Sequence, residues 1–221
     1  HADNIAPCIL GGVSLIRSSH PLDIIAIPSP DLYVTVVHPQ IEVRTSDARQ
    51  ILRQQVLLKD AIRQWGNIAG LVAGFLKNDL DLIGRSLEDV IIEPVRSILI
   101  PGFDEVKTKC KEAGALGGGI SGSGPSIFML CKEQKTAREV ETVMKAVYEI
   151  MTIQRDHGNR GDRKLASLKY TIDRLGVEAV KEELEKRCGF KLGEIKPYAF
   201  TSRKDHYGWQ QNHEGLWYYT L

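Results

Sequence analysis

The sequence predicts an α+β protein, and three features carry that prediction. Two β-rich runs, Asp23–Ile27 and Leu32–His38, stand close together across a turn. A string of amphipathic helical segments follows them. A further pair of strand-like runs then flanks a glycine loop ahead of a last long helix. Strands of antiparallel type mixed with helices in this way build a layered α+β domain.

Taken in order, Asp3 or Asn4 caps a first helix running to about Ile16, with Ile5, Cys8, Ile9 and Val13 at helical spacing. Pro28-Ser29-Pro30-Asp31 is turn chemistry between the first two strands. Thr45, Ser46 or Asp47 opens a helix toward Leu52. Leu58–Leu76 reads as a long amphipathic helix, and Leu80–Ile92 as one or two shorter ones ending before Pro94. Phe103–Ala113 is helical again behind Pro101-Gly102. Leu116–Ile120 and Ser126–Cys131 are strands, the second apolar enough to be buried. Thr136–Ile150 makes a helix with Ala137, Val140, Val143, Met144 and Val147 on one face. Past Thr152 the texture changes to a dense polar loop, Arg155 to Lys164. A helix over Val177–Arg187 follows, stopped by Gly189. An aromatic-rich end then reads as short strands.

Bulk properties narrow the function less than the motifs do. A formal net charge of +1 gives no field favouring nucleic acid, and no apolar run reaches the roughly 20 residues of a membrane span. There is no basic-then-apolar leader, so a cytoplasmic location is expected. The chain opens at His1 without Met, which predicts a cut point inside a longer protein. Cys8, Cys110, Cys131 and Cys188 form no closely spaced pair, which favours reduced core thiols over a metal or cluster site. No metal ligand set is expected.

Leu116–Ser126 is the richest segment for chemistry. Its six glycines allow positive φ and close backbone approach, and consecutive N–H groups in such a loop can cradle an anion. Gly117-x-Gly119-x-x-Gly122 also fits the dinucleotide fingerprint formally, but a strand follows it where a helix should. From composition alone, a tight strand–loop–strand connection without ligand is the slightly favoured reading.

The same segment resembles the third signature motif of the GHMP kinase superfamily. Three companions point within it to the homoserine kinases: His1-x-Asp3-Asn4-x-Ala6-Pro7, Thr45-x-x-Ala48-Arg49, and Glu93-Pro94-x-Arg96 with Pro101-Gly102-Phe103 behind it. The resemblance covers about residues 1–150. It implies ATP- and Mg-dependent phosphorylation of the hydroxyl of L-homoserine, on the way to threonine. It also implies a remnant of an S5-like N-terminal domain over 1–25 and a ferredoxin-like C-terminal domain over 26–150. His1, Asn4, Arg49 and Arg96 match the family's substrate-binding positions. Gly118, Gly119, Ser121, Gly122, Ser123 and Gly124 would support a phosphate loop of the type Pro-x-x-x-Gly-Leu-Gly-Ser-Ser, and no such segment occurs in this chain. With that loop and the magnesium-binding acid missing, no residue here is expected to be catalytic, and the chain is expected to be inactive alone.

Residues 151–221 resemble a different family, the haemoprotein subunit of assimilatory sulfite reductase. The resemblance rests on Thr152 to Lys164, on Lys169-Tyr170-Thr171, and on Pro197-Tyr198-x-Phe200-Thr201 with Gly208-Trp209. It implies a partial α+β segment from an enzyme that reduces sulfite on sirohaem joined to a [4Fe–4S] cluster. Arg155, Arg160, Arg163, Lys164 and Lys169 would face the carboxylates of the macrocycle or a domain interface; the cluster cysteines are lacking. The chain thus reads as a homoserine kinase-like fragment. The alternatives are a sulfite reductase fragment or a non-catalytic fusion module. Surface left uncovered by a missing domain is expected to drive homo-oligomer formation or aggregation.

Overall fold

A computed structural model describes residues 2–39, 41, 43–193, 208–211 and 217–220, with backbone alone at Arg163, 208–211 and 217–220. It divides into two compact units, His1–Phe190 and Lys191–Leu221.

The first unit is α+β, as the pattern of runs predicts. Helix α1 (Ala2–Leu10) is followed by a hairpin of β1 (Val13–Ser19) and β2 (Leu22–Ile27), paired antiparallel. Here the structure departs from the sequence reading, which carried the first helix on to Ile16. Gly11 and Gly12 both take positive φ, 70° and 60°, which ends the helix, and the apolar residues beyond them turn to strand. Strand β3 (Tyr33–Val37) comes next, then α2 (Thr45–Gln50), α3 (Leu58–Lys77) and α4 (Leu80–Ser86). Helix α2 opens at Thr45, the first of the three expected openers, behind Arg44, which gives no side-chain cap. Helix α4 is capped by Asp79, whose carboxylate accepts from the Leu82 N–H at 2.9 Å.

A single turn, α5 (Glu93–Arg96), takes Pro94 inside it, where the missing N–H is harmless in the first turn. Then come α6 (Phe103–Glu112), β4 (Gly117–Ile120) and β5 (Ile127–Cys131). Strands β3, β5 and β4 form one antiparallel sheet in that order, with Val37 opposite Ile127 and Gly119 opposite Phe128. Strand β5 is central and apolar on both faces. Its Ile127, Met129 and Cys131 point into a core shared with Phe103, Val106 and Cys110 of α6. Val140 and Met144 of α7 (Gln134–His157) close that core. On the other face, Leu130 packs with Phe75 of α3, Ile83 of α4 and Ile27 of β2. The sheet therefore lies between α6 and α7 on one side and α3, α4 and the hairpin on the other.

Helix α7 runs on past Ile150 to His157, so the first part of the predicted polar loop is helical. Nothing between Ile150 and His157 breaks a helix, and the turn comes at Gly158. Thr152 and Ile153 are buried in this extension. Helices α8 (Leu168–Leu175) and α9 (Val177–Cys188) pack beside it, separated by Gly176 at φ 86°. Arg187 of α9 donates to Thr152 at 3.0 Å and to Asp156 at 2.8 Å, and pairs with Glu183 at 2.8 Å. Arg155 and Arg187 together hold the Asp156 carboxyl down at about 2.

The second unit contains β6 (Gly208–Gln211) and β7 (Trp217–Thr220), an antiparallel hairpin with Trp209 opposite Tyr219. The short strands expected at this end are present. Residues 194–207, which carry part of the sulfite reductase motif, lie outside the described residues.

Candidate functional site

The glycine segment folds as a strand followed by a tight turn into the next strand. Ser121 N–H donates to the Ser126 carbonyl at 2.8 Å, and Gly124 N–H to the Ser121 carbonyl at 3.0 Å. Gly122 takes φ 60° at the first central position of the turn, a conformation glycine accepts without steric cost. Two of the turn's amides are thus spent internally. Those of Gly122 and Ser123 have no backbone partner among the described residues.

Glycine is required in the strand for a different reason. A Cβ on Gly118 would collide with the Phe128 carbonyl and lie 2.8 Å from the Met129 Cα. A Cβ on Gly119 would lie 2.6 Å from Oε2 of Glu93. Both positions are buried, so these glycines let β4 approach β5 and α5 more closely than any side chain permits.

Above this strand lies a cleft of about 180 Å³, lined by Gln64, Asp89, Glu93, Arg96, Gly119, Gly122 and Phe128 among others. Its rim is built by side chains that tie the segment after α4 onto α3. Arg63 forks onto Glu88 with two bonds of 2.9 and 2.8 Å, Asn67 donates to the Glu88 carbonyl, and Gln64 accepts from Val90 N–H at 3.0 Å. Asp89 accepts from the N–H groups of Ile91 and Ile92, which satisfies the entry to α5. Arg96 closes that turn. Its Nη1 donates to the Gly122 carbonyl at 2.6 Å and its Nε to the Ala48 carbonyl at 3.4 Å. These two bonds use two of five guanidinium N–H groups, so the remainder can serve a ligand carboxylate.

The predicted residues divide accordingly. Arg96, Gly118, Gly119 and Gly122 line the cleft together, and Ser121, Ser123 and Gly124 complete the turn beside it. Arg49 is exposed on α2, next to the Ala48 whose carbonyl Arg96 holds. Asn4 is exposed on α1, and His1 lies outside the described residues. Sequence reasoning missed His38, whose Nδ1 lies 2.8 Å from the Ser126 hydroxyl at the end of the turn. Nothing in the sequence signalled it, because 88 residues separate the partners. It also gave Glu93 no role.

Three of the five basic residues singled out in the tail have local partners, and the side chain of Arg163 lies outside the described residues. Arg155 pairs with Asp156 at 2.8 Å, and Arg160 donates to the Arg155 carbonyl at 3.0 Å. Lys169 lies 4.7 Å over the ring of Tyr170, and Lys164 is exposed. Of the cysteines, Cys8 is exposed and the other three are buried free thiols. Burial, with Cys131 alongside, pushes the Cys110 thiol up to about 12, and burial also raises Cys131 and Cys188. Two of these thiols, Cys110 and Cys131, belong to the apolar core around Met129. Among the described residues no helix is long and apolar enough to cross a membrane.

Comparison with known proteins gives the site its context. The family model for GHMP kinases C terminal matches residues 71–150, which hold most of the cleft lining, α5 and the glycine turn. The chain is 53% identical over 152 residues to a homoserine kinase of Chlorobium phaeobacteroides, covering 68% of this chain and 48% of that protein. It is 55% identical over 150 residues to a homoserine kinase of Chloroherpeton thalassium, covering 67% and 46%. The crystal structure of a homoserine kinase from Cytophaga hutchinsonii superposes with a TM-score of 0.67 at 55% identity, covering 68% of this chain and 48% of that one. The chain spans about half the length of the curated relatives it matches. Over two thirds of its own length, then, it is similar to homoserine kinases in both sequence and fold.

Proposed function

We propose that this chain supplies the amino-acid-binding side of a homoserine kinase, an enzyme that transfers a phosphoryl group from ATP to the hydroxyl of L-homoserine. The observation that carries the proposal is Arg96, held by one turn of helix and two backbone carbonyls at a cleft floored by the glycine strand. A guanidinium fixed in this way grips the α-carboxylate of an amino acid with paired hydrogen bonds. Arg49, on the adjoining helix, is the second cation for the same carboxylate. The N–H groups of Gly122 and Ser123, which have no backbone partner among the described residues, are left to serve an anion. Phosphoryl transfer relies on positioning and charge neutralisation, so a well-oriented acceptor is a substantial part of the chemistry.

ATP and Mg²⁺ come with that reaction. Among the described residues no group of three or more His, Cys, Asp or Glu side chains is arranged to hold a metal ion. The sequence also contains no loop of the Pro-x-x-x-Gly-Leu-Gly-Ser-Ser type. The reading for this chain is therefore confined to homoserine binding. The sulfite reductase reading of residues 151–221 keeps only its sequence motif; the relatives and the family match above lend it no support.

Calorimetry with L-homoserine tests the proposal. The wild type should bind, and Arg49→Ala should weaken binding about tenfold, the loss of one charge-assisted contact. No heat of binding in the wild type, or undiminished binding in Arg49→Ala, would overturn it.

A further inference from the structure

Glu93, which lines the cleft, is held in a largely buried ion pair with Lys107. Glu93 and Lys107 pair through Oε1 and Nζ with side chains only 13% and 15% exposed. Burial pushes the Glu93 carboxyl up, and the Lys107 contact pulls it part of the way back. Lys107 is seated by Phe103, its Nζ lying 5.8 Å from the centre of a ring that is itself buried. The second carboxylate oxygen of Glu93 is packed against Gly119, where even a methyl group would lie 2.6 Å away.

Glu93 and Arg96 are the first and last residues of the four-residue turn α5, three apart and on one face. The turn is too short to hold its own geometry, because a single helical turn is unfavourable in isolation. Its first residue is fixed to α6 and to the middle of β4. Its last residue holds the carbonyl of Gly122 in the turn that follows the same strand.

The geometry points to the Glu93–Lys107 pair as a positioning device for Arg96. It clamps α5 onto β4 through Gly119, and so sets where the guanidinium stands relative to the glycine turn. The inference deepens the homoserine-binding reading and rests on it for its functional meaning, while its structural consequence can be measured without ligand. Removing one partner alone would strand a buried charge and risk global unfolding. The informative variant therefore replaces both, as Glu93→Gln with Lys107→Met, which leaves no unpaired charge and nearly the same volume.

Hydrogen exchange followed residue by residue provides the test. In the double variant, the amides of Ser121 and Gly124, both bonded within the turn, should exchange about tenfold faster, while those of Val140 and Met144 keep their wild-type rates. Arg96→Met alone should give the same local acceleration, and adding it to the double variant should give no more, because the pair acts through Arg96. Homoserine affinity should fall in step in both. Wild-type exchange at Ser121 and Gly124 in the double variant would overturn the inference. So would acceleration spread equally over the turn, β5 and α7, which marks a merely structural pair. If the wild type binds no homoserine, the functional proposal fails, and the exchange pattern still decides the positioning role.

Discussion

Replacing Gly118 by alanine puts a methyl group where β5 already is. The added Cβ would overlap the Phe128 carbonyl and stand 2.8 Å from the Met129 Cα, and both are backbone atoms of the central strand. No rotamer change relieves such a contact, so the strands must separate. The pairing of Gly118 with Met129 and of Gly119 with Phe128 is then lost or lengthened. Overpacking alone costs about 1–3 kcal/mol, and broken ladder bonds beside a fully buried Met129 bring the total to at least about 3 kcal/mol. For a chain of this size that lowers Tm by roughly 6–12 °C. Gly122→Ala is the internal control. Its Cβ meets nothing within 4 Å, so only the positive φ opposes it, at about 1 kcal/mol. Urea unfolding of the two variants, run in parallel, measures the difference. If Gly118→Ala unfolds within about 0.5 kcal/mol of the wild type, the account of β4 as a strand compressed against β5 is wrong.

Two further outcomes concern features away from the cleft. Asp156 is held at about 2 by Arg155 and Arg187, below an ordinary carboxyl. Its contribution is present above about pH 4 and lost as pH falls toward 2. Solvent screening limits it to about 1 kcal/mol. D156N should lose that stability at neutral pH and show a flatter acid limb in a pH series of unfolding midpoints; superimposable limbs would refute the clip between α7 and α9. Asp79→Ala removes the cap of α4 and should cost about 1 kcal/mol by urea unfolding, whereas Asp79→Asn should restore most of it.

The parts of this fold that the sequence announces are those governed by local chemistry. The long stripe over Leu58–Leu76 and the continuous apolar run after Ser126 predict α3 and β5 almost to the residue, because burial of one face or both is written into their spacing. The first helix was drawn too long for the same reason. Ile9, Val13 and Ile16 keep helical spacing, but Gly11 and Gly12 turn the backbone before Val13, and the alternation of β1 is blurred by its half-buried faces. Helix α7 was drawn too short because a shift in composition near residue 150 looked like a boundary, although no breaker precedes Gly158. At the site, Arg96 is legible only through the family resemblance of its neighbours, Glu93-Pro94 and Pro101-Gly102-Phe103. Its bond to Gly122 spans 26 residues and no local rule predicts it. The seating of Glu93 against Gly119 was hidden for the same reason, since it joins a helical turn to a strand that folds beneath it.

The central claim is that Arg96 and the glycine turn form an amino-acid site, and a titration followed by ¹H–¹⁵N NMR tests it most directly. L-Homoserine should shift the amides of Gly119, Gly122 and Ser123 and the side chain of Arg96, with the turn responding less to an analogue lacking the hydroxyl. Shifts confined to other regions, or none at millimolar homoserine, would contradict the account.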